Sequence, residues 1–369
     1  MISLMFVIFY GLFVLVFLFI GSFLQRKKES RFYAGKKLTV DNITLLVPYR
    51  NEDSNLKNFL TCLEKSSLKP KQVIFIDDHS SDNSTEIIQE RMKPEYLLLR
   101  LTQTSGKKEA LREGISHVQS EFILTMDADV RFSAEYFEML TRLEESDLYL
   151  LPVVLKGRST LQIFFELDLL MVNATNTALY GWARPIVGSG ANLLFKKETF
   201  FKADRYETHR HVMSGDDIYL LRDFRKAKAD IRVILNNLLV VYSDTPSSLA
   251  GYFHQRLRWI SKTRHAKDHL ATFLGLIQTL FVLSFCSLLI FFLSCGDYTS
   301  VFGLFCIKTL IDLIGFLPYF SYFHSWKQLF MLIPYQLIYP IYLLILGVLL
   351  PFIRPIWKQR ITTTRLQNP

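Results

Sequence analysis

Three stretches of this chain contain no Asp, Glu, Lys or Arg: residues 1–24, 269–296 and 329–353. A backbone carried into hydrocarbon must satisfy its own polar groups, and a helix of about 20 apolar residues crosses the bilayer core. No other feature narrows the possible folds as much. The stretches predict membrane helices at both ends of the chain, with the polar sequence between them folding separately in water. The first stretch is longer than the apolar region of about 7–15 residues in a signal peptide, and its basic residues follow it rather than precede it. It reads as an uncleaved anchor. Composition agrees, since 50% of the 369 residues are hydrophobic and only 21% are charged. That balance excludes a disordered chain, and four cysteines without metal-type spacing exclude a disulfide scaffold.

The net charge of +9 invites a reading as a nucleic-acid binder until its distribution is followed. Arg26, Lys27, Lys28, Arg31, Lys36 and Lys37 against Glu29 give +5 just after the first apolar stretch. Arg256, Arg258, Lys262, Arg264 and Lys267 against Asp268 give +4 just before the second. Arg354, Lys358, Arg360 and Arg365 give another +4 after the third. Together these exceed the whole, so the remainder of the chain is net −4. The basic charge is therefore juxtamembrane, where it orients spans and meets anionic headgroups, and no nucleic-acid partner is expected. By the positive-inside rule the Arg26–Lys37 cluster places the N-terminus outside and residues 25–268 in the cytoplasm, as in a bacterial inner membrane or its equivalent. Between Tyr298 and Trp326 lie Lys308 and Asp312, costly in lipid unless paired, and their i, i+4 spacing allows that pairing on one helix face. The C-terminal region thus predicts two or three helices. If there are three, the basic tail falls outside, against the rule.

The expected organisation is an anchor at 1–24, a basic linker at 25–40, a folded domain at 41–245, an interfacial helix at 246–268, membrane helices at 269–353 and a basic tail at 354–369. Within 41–245, short apolar runs alternate with amphipathic helical patterns, which signals an α/β fold with parallel strands. Strands are expected at Ile43–Val47, Gln72–Ile76, Leu97–Leu101, Phe122–Met126 and Leu148–Leu155. Helices are expected at Asn55–Lys65, Ser81–Met92, Lys107–Val118 and Ser159–Leu179. Ligands of such sheets sit beyond the carboxyl ends of the strands. There the sequence places Pro48-Tyr49-Arg50-Asn51-Glu52, then Asp77-Asp78, then Asp127-Ala128-Asp129. No phosphate-binding P-loop or dinucleotide fingerprint survives inspection: Leu101 and Lys108 occupy required P-loop positions, and Gly188-Ser189-Gly190 lacks the third glycine.

Two carboxylates at i and i+2 past a strand can hold Mg²⁺ or Mn²⁺ from one side while substrate phosphates complete the shell. A D-x-D is also common by chance at a strand exit, so context decides. Gly215-Asp216-Asp217 opens a helical pattern; one acid there can cap the helix, leaving the other for general-base work. Gln255, Arg258 and Trp259 stand at i, i+3 and i+4 on one helix face, where an amide, a guanidinium and an indole make a platform for sugar or diphosphate. The same residues also suit an interfacial helix at headgroup level.

In their order and spacing these motifs resemble the membrane-bound branch of family 2 glycosyltransferases, which includes cellulose, chitin and hyaluronan synthases and ceramide glucosyltransferases. The resemblance rests on Pro48-Tyr49-Arg50-Asn51-Glu52, Ile76-Asp77-Asp78, Gly106-Lys107-Lys108, Asp127-Ala128-Asp129, Gly215-Asp216-Asp217 and Gln255-x-x-Arg258-Trp259, and covers about residues 40–265. It implies a GT-A (Rossmann-like) domain that moves a sugar from a nucleotide sugar, a UDP-sugar by expectation, to a hydroxyl acceptor with inversion. It further implies nucleotide binding by Pro48, Arg50, Glu52, Asp77, Asp78, Lys107 and Asp127, a Mg²⁺ or Mn²⁺ site at Asp127 and Asp129, and a catalytic base at Asp217. Asp216, Gln255, Arg258 and Trp259 would bind donor and acceptor. The family's T-E-D motif is here Gly215-Asp216-Asp217, so the base survives while its neighbour is one methylene shorter. Three or four helices look few for a polymer tunnel, which favours a lipid or lipid-linked acceptor over a processive polysaccharide synthase. A transporter is disfavoured by the scarcity of ionisable residues in the apolar stretches, and a catalytically silent binding protein by the full set of acids.

Overall fold

The computed structural model describes residues 2–31, 35–204, 208, 215–265, 268–323, 326–349, 356, 357, 360 and 361. The side chains of Asp216, of residues 262–265 and of the basic tail lie outside the described set. In chain order the elements begin with α1 (Ile2–Leu12), a π-helical stretch (Phe13–Ile20) and α2 (Gly21–Glu29), which together form one continuous helix. Then come β1 (Ile43–Tyr49), α3 (Asp53–Lys65), β2 (Gln72–Asp77), α4 (Ser84–Gln89), β3 (Tyr96–Arg100), α5 (Lys107–Ser116), β4 (Phe122–Met126), α6 (Tyr136–Leu140), β5 (Leu148–Leu150) and β6 (Val153–Lys156). These are followed by α7 (Thr160–Trp182), β7 (Asn192–Lys196), α8 (Lys197–Ala203), α9 (Asp216–Lys226), β8 (Ile231–Val233), β9 (Val241–Asp244) and α10 (Leu249–His265). The chain closes with α11 (His269–Ser294), α12 (Tyr298–Tyr322), α13 (Trp326–Leu349), β10 (Ile356–Trp357) and β11 (Arg360–Ile361).

The chain folds as two compact units. One comprises Glu29–Lys156, Val187–Asp244 and Arg354–Pro369; the other comprises Met1–Lys28, Gly157–Ile186 and Thr245–Ile353. The first unit is built on a seven-stranded sheet in the order β3-β2-β1-β4-β7-β5-β8. Strands β3, β2, β1 and β4 are parallel, and β7 runs antiparallel between β4 and β5. β1 is buried along its whole length, as expected of a central parallel strand covered on both faces. The Rossmann-like α/β reading of the sequence is borne out. The strand expected at Leu148–Leu155 is divided into β5 and β6, because Pro152 has no N–H for a ladder; β6 pairs instead with β9. α4 is shorter than the expected Ser81–Met92, since Ser81 and Asp82 bind the neighbouring loop rather than start the helix. β7 sits in the middle of the sheet and was not expected. Its buried Asn192 is fully engaged, accepting from Tyr136 at 2.5 Å and donating to the Pro152 and Leu239 carbonyls at 2.9 Å.

The second unit is helical. Among the described residues, four helices are long and apolar enough to cross a membrane: Ile2–Glu29, His269–Ser294, Tyr298–Tyr322 and Trp326–Leu349. Three of them lie in the C-terminal region, the higher of the two numbers the sequence left open. Lys308 and Asp312 pair at 2.8 Å as their spacing predicted, and Gln336 of α13 and Tyr10 of α1 also hydrogen-bond to Asp312. α7, read from sequence within 41–245, groups with these helices. It starts with a capping box in which Ser159 and Gln162 exchange hydrogen bonds. It crosses the N-terminal helix at small residues: a Cβ on Gly181 would collide with the Gly21 carbonyl, and one on Gly21 would come 2.8 Å from the Ala178 carbonyl.

Candidate active site

The carboxyl ends of β1, β2 and β4 form one edge of the sheet, and two left-handed residues shape it. Asn51 (φ 50) follows β1 and His79 (φ 58) follows β2, conformations in which polar residues such as Asn and His are enriched. The two loops are stitched together. Asn51 N–H donates to Ser80 Oγ at 3.1 Å, Ser81 N–H to Asn51 Oδ1 at 2.8 Å, and Glu52 N–H to Ser84 Oγ at 2.7 Å. Asp77 accepts from Ser80 N–H at 2.7 Å and lies 3.4 Å from Arg100. Asp78 accepts from Gly106 N–H at 3.0 Å. Gly106 has φ 105, a conformation a side chain would strain, and it is the turn that starts α5 with Lys107. Burial pushes the Asp78 carboxyl upward, opposed by the Gly106 N–H and the nearby Arg50 charge. Arg50 donates to the Asp78 carbonyl at 3.5 Å. Thus Arg50, Glu52, Asp77, Asp78 and Lys107, expected from sequence to share a site, belong to one connected edge, with Pro48 in β1 beneath it.

The two acids after β4 differ sharply. Asp127 is ion-paired with Lys107 at 2.5 Å. Asp129 accepts from Ser243 Oγ of β9 at 3.2 Å through Oδ2, while its Oδ1 is enclosed and has no hydrogen-bond partner among the described residues. Burial, then the charges of Asp127 and Glu52, push the Asp129 carboxyl up to about 7. A buried carboxylate oxygen without a donor, among other acids, is a place where a cation fits. No cluster of three or more His, Cys, Asp or Glu side chains among the described residues could hold a metal alone. Oxygens of a bound diphosphate would have to complete the shell, which is how Mg²⁺ is ordinarily held.

Asp217 reaches this same edge by topology. Antiparallel pairing sets Asn192 at the start of β7 opposite Met126 at the end of β4. Asp217, in the first turn of α9, accepts from Gly190 N–H at 3.4 Å, two residues before that strand. The N-cap of α9 is Gly215 in a left-handed conformation, not an acid. Beside Asp217, a largely apolar groove opens between α5, β7 and α9, with Lys108 and Arg112 on its wall.

The family model described as glycosyl transferase family 2 matches residues 44–195. Over those residues the chain is similar to family 2 glycosyltransferases. The poly-beta-1,6-N-acetyl-D-glucosamine synthase of Staphylococcus aureus is 26% identical over 269 residues, 69% of this chain and 64% of its own length. The chain therefore spans a little less than two thirds of that relative. The synthase of the same name from Staphylococcus epidermidis is 31% identical over 131 residues, 34% of this chain and 32% of its own. Among solved structures, a mannosyltransferase from Pyrobaculum calidifontis in complex with GDP-Man and Mn²⁺ covers 95% of this chain and 99% of its own at 15% identity and a TM-score of 0.49.

The match to the glycosyltransferase family takes in Asp127 and Asp129 and ends before Asp217. Gln255, Arg258 and Trp259 belong to the helical unit, on α10 as their spacing required. Gln255 Oε1 there is enclosed and without a hydrogen-bond partner among the described residues. Asp216 begins α9, but its side chain lies outside the described set. Sequence reasoning missed Ser243, which is 114 residues from the Asp129 it binds. It also missed the serines that join the β1 and β2 loops. Neither carries a local signal, since a lone serine in a strand or a turn is ordinary.

Proposed function

We propose that the chain is an inverting glycosyltransferase, moving a sugar from a cytoplasmic nucleotide-diphosphate sugar, with UDP as the nucleotide, to a hydroxyl on a glycan. The observation that carries this reading is the enclosed, donor-less Oδ1 of Asp129 beside Asp127 at the carboxyl edge of a family 2 domain. The matched relatives are polysaccharide synthases, which favours a growing glycan as acceptor. The small number of candidate spans among the described residues, four, favours the second reading, a lipid-linked acceptor.

The chemistry asks for a stronger nucleophile and a better leaving group. Asp217 takes the proton of the acceptor hydroxyl as its oxygen bonds to the anomeric carbon. On the opposite face the bond to phosphate oxygen breaks, and the electron pair leaves with the nucleotide diphosphate, which inverts the centre. A divalent cation held by Asp127 and Asp129 would supply positive charge to that diphosphate. Lys107 adds a fixed cation for the same oxygens, and Arg258 is the cation that the α10 motif contributes to donor binding. Pro48, Arg50, Glu52, Asp77 and Asp78 shape the pocket for base and ribose, and Gln255 and Trp259, with Asp216, bind the sugars. The Arg26–Lys37 cluster supports placing the catalytic unit on the cytoplasmic face.

Nucleotide release from a donor panel by purified membranes, with product sizing, tests the proposal. Release of one nucleotide with incorporation into long glycan is the expected result. Incorporation of a single sugar into extracted lipid would select the second reading, and no transfer from any donor would overturn both.

A further inference from the structure

α10 carries more than the three residues its motif singles out. Gln255, Arg258 and Trp259 share one face, and Tyr252, Arg256 and Trp259 share another at i, i+4 and i+7, so the indole stands where the two meet. Arg256 is only 4% exposed. Its guanidinium lies 2.7 Å from Asp168 Oδ2 on α7, 4.4 Å from the centre of the Trp259 ring and 5.0 Å from that of Tyr252. Asp168 is also buried and accepts two hydrogen bonds, from Tyr252 of α10 and from Tyr335 of α13 at 3.0 Å. Three helices of the helical unit thus converge on one carboxylate.

A buried ion pair is a poor device for stability alone, because both partners give up hydration that an apolar pair of the same size would not need. What it adds here is direction. A buried carboxylate holds the guanidinium in place by charge, and a guanidinium held in place presents a cationic face to an aromatic ring beside it. The sequence Asp168, Arg256, Trp259 is therefore a mechanical chain ending on a residue of the sugar-binding motif. Arg256 occupies a position that the motif leaves unspecified, and Asp168 lies 91 residues before Trp259 in the sequence.

We propose that Asp168 and Arg256 are positioning residues that hold the Trp259 indole in the orientation in which it binds the acceptor sugar. The proposal rests on the reading of Trp259 as an acceptor-binding residue, and its test includes a readout independent of turnover. Trp182, Trp326 and Trp357 are replaced by Phe in the full-length protein, leaving Trp259 as the sole indole. Asp168→Asn and Arg256→Lys are then made in that background. Acrylamide quenching of Trp259 fluorescence and the kinetic constants for donor and acceptor are measured for each. Asp168→Asn removes the counter-charge, and Arg256→Lys keeps it while losing the planar cation, so the second variant survives if the first fails to fold. In both, quenching is expected to rise about twofold as the ring loses its cationic cover. The KM for acceptor is expected to rise about tenfold, with the nucleotide Kd unchanged and kcat less affected. A purely structural pair would lower the amount of active enzyme and leave KM and quenching as in the parent; that result overturns the proposal. If the parent transfers no sugar, the glycosyltransferase reading fails, while quenching still decides whether the clamp holds the indole.

Discussion

At the scale of single residues, the proposed chemistry divides between two aspartates that can be tested separately. Asp217→Asn keeps the shape and removes the proposed base. Transfer is expected to fall by about 10²–10⁴-fold, with nucleotide affinity retained in equilibrium binding. Normal turnover by that variant would sink the base assignment. Asp129→Ala should abolish the dependence of nucleotide affinity on Mn²⁺, and equal affinity with and without the ion in the parent protein would count against the metal site. Asp129 also makes a pH prediction. Its carboxyl sits at about 7 in the folded protein, against about 3.9 when unfolded. The folded state therefore holds the extra proton between those values, and stability falls as pH rises from about 4 to about 7. In the presence of a chelator, Asp129→Asn should melt higher than the parent at pH 8, by on the order of a few degrees, and equally at pH 4. A scan showing no difference at either pH would refute the enclosed-carboxylate account. These acids were legible in the sequence because D-x-D follows a recognisable strand. Ser243 was not, because a serine acquires meaning only when a distant strand brings it to an acid.

At the scale of elements, α7 best separates what pattern can and cannot say. Its helical period and its capping box at Ser159 are local, and both stand in the sequence. Its partner does not, since an apolar helix face reads alike whether it covers a sheet or another helix. Buried Phe164, Phe165, Leu167, Asp168, Leu169 and Leu170 show it enclosed on several sides within the helical unit. The Gly21–Gly181 crossing sets how closely it approaches the N-terminal helix. Gly181→Leu should separate the two helices and lower the melting temperature of the detergent-solubilised protein, with a cost of about 1–3 kcal/mol from overpacking. Ser159→Ala, which removes only the cap, should cost about 1 kcal/mol. Equal melting of Gly181→Leu and parent would show that the crossing is not a tight contact. β5 and β6 teach the complementary point: the single strand expected at Leu148–Leu155 ran across Pro152, and only the sheet shows that β6 leaves for β9.

At the scale of the whole molecule, the division of charge and apolar surface predicts how the protein is held. If the basic clusters alone held it, about 1 M salt, where the screening length falls to about 3 Å, would release it. The apolar helices predict that it stays with membranes through such a wash and leaves only with detergent; release by salt would contradict the spans. The Lys308–Asp312 pair, joined by Gln336 and Tyr10, allows α12 to be as apolar to its surroundings as its neighbours while enclosing two charges.

The sequence by itself determined the membrane helices, the α/β class and the identity of the acids at the sheet edge. Each follows from a local rule: hydrocarbon demands long uncharged helices, alternating strands and helices demand a layered sheet, and a strand end exposes the residues that follow it. Only the tertiary structure decided that β7 lies antiparallel beside β4 and so brings Asp217 to the edge of Asp127. It alone decided that one oxygen of Asp129 is enclosed without a donor, and that Asp168 meets Arg256. Those facts depend on residues far apart in the chain, and long-range pairing is set by packing of the whole, which no local pattern records.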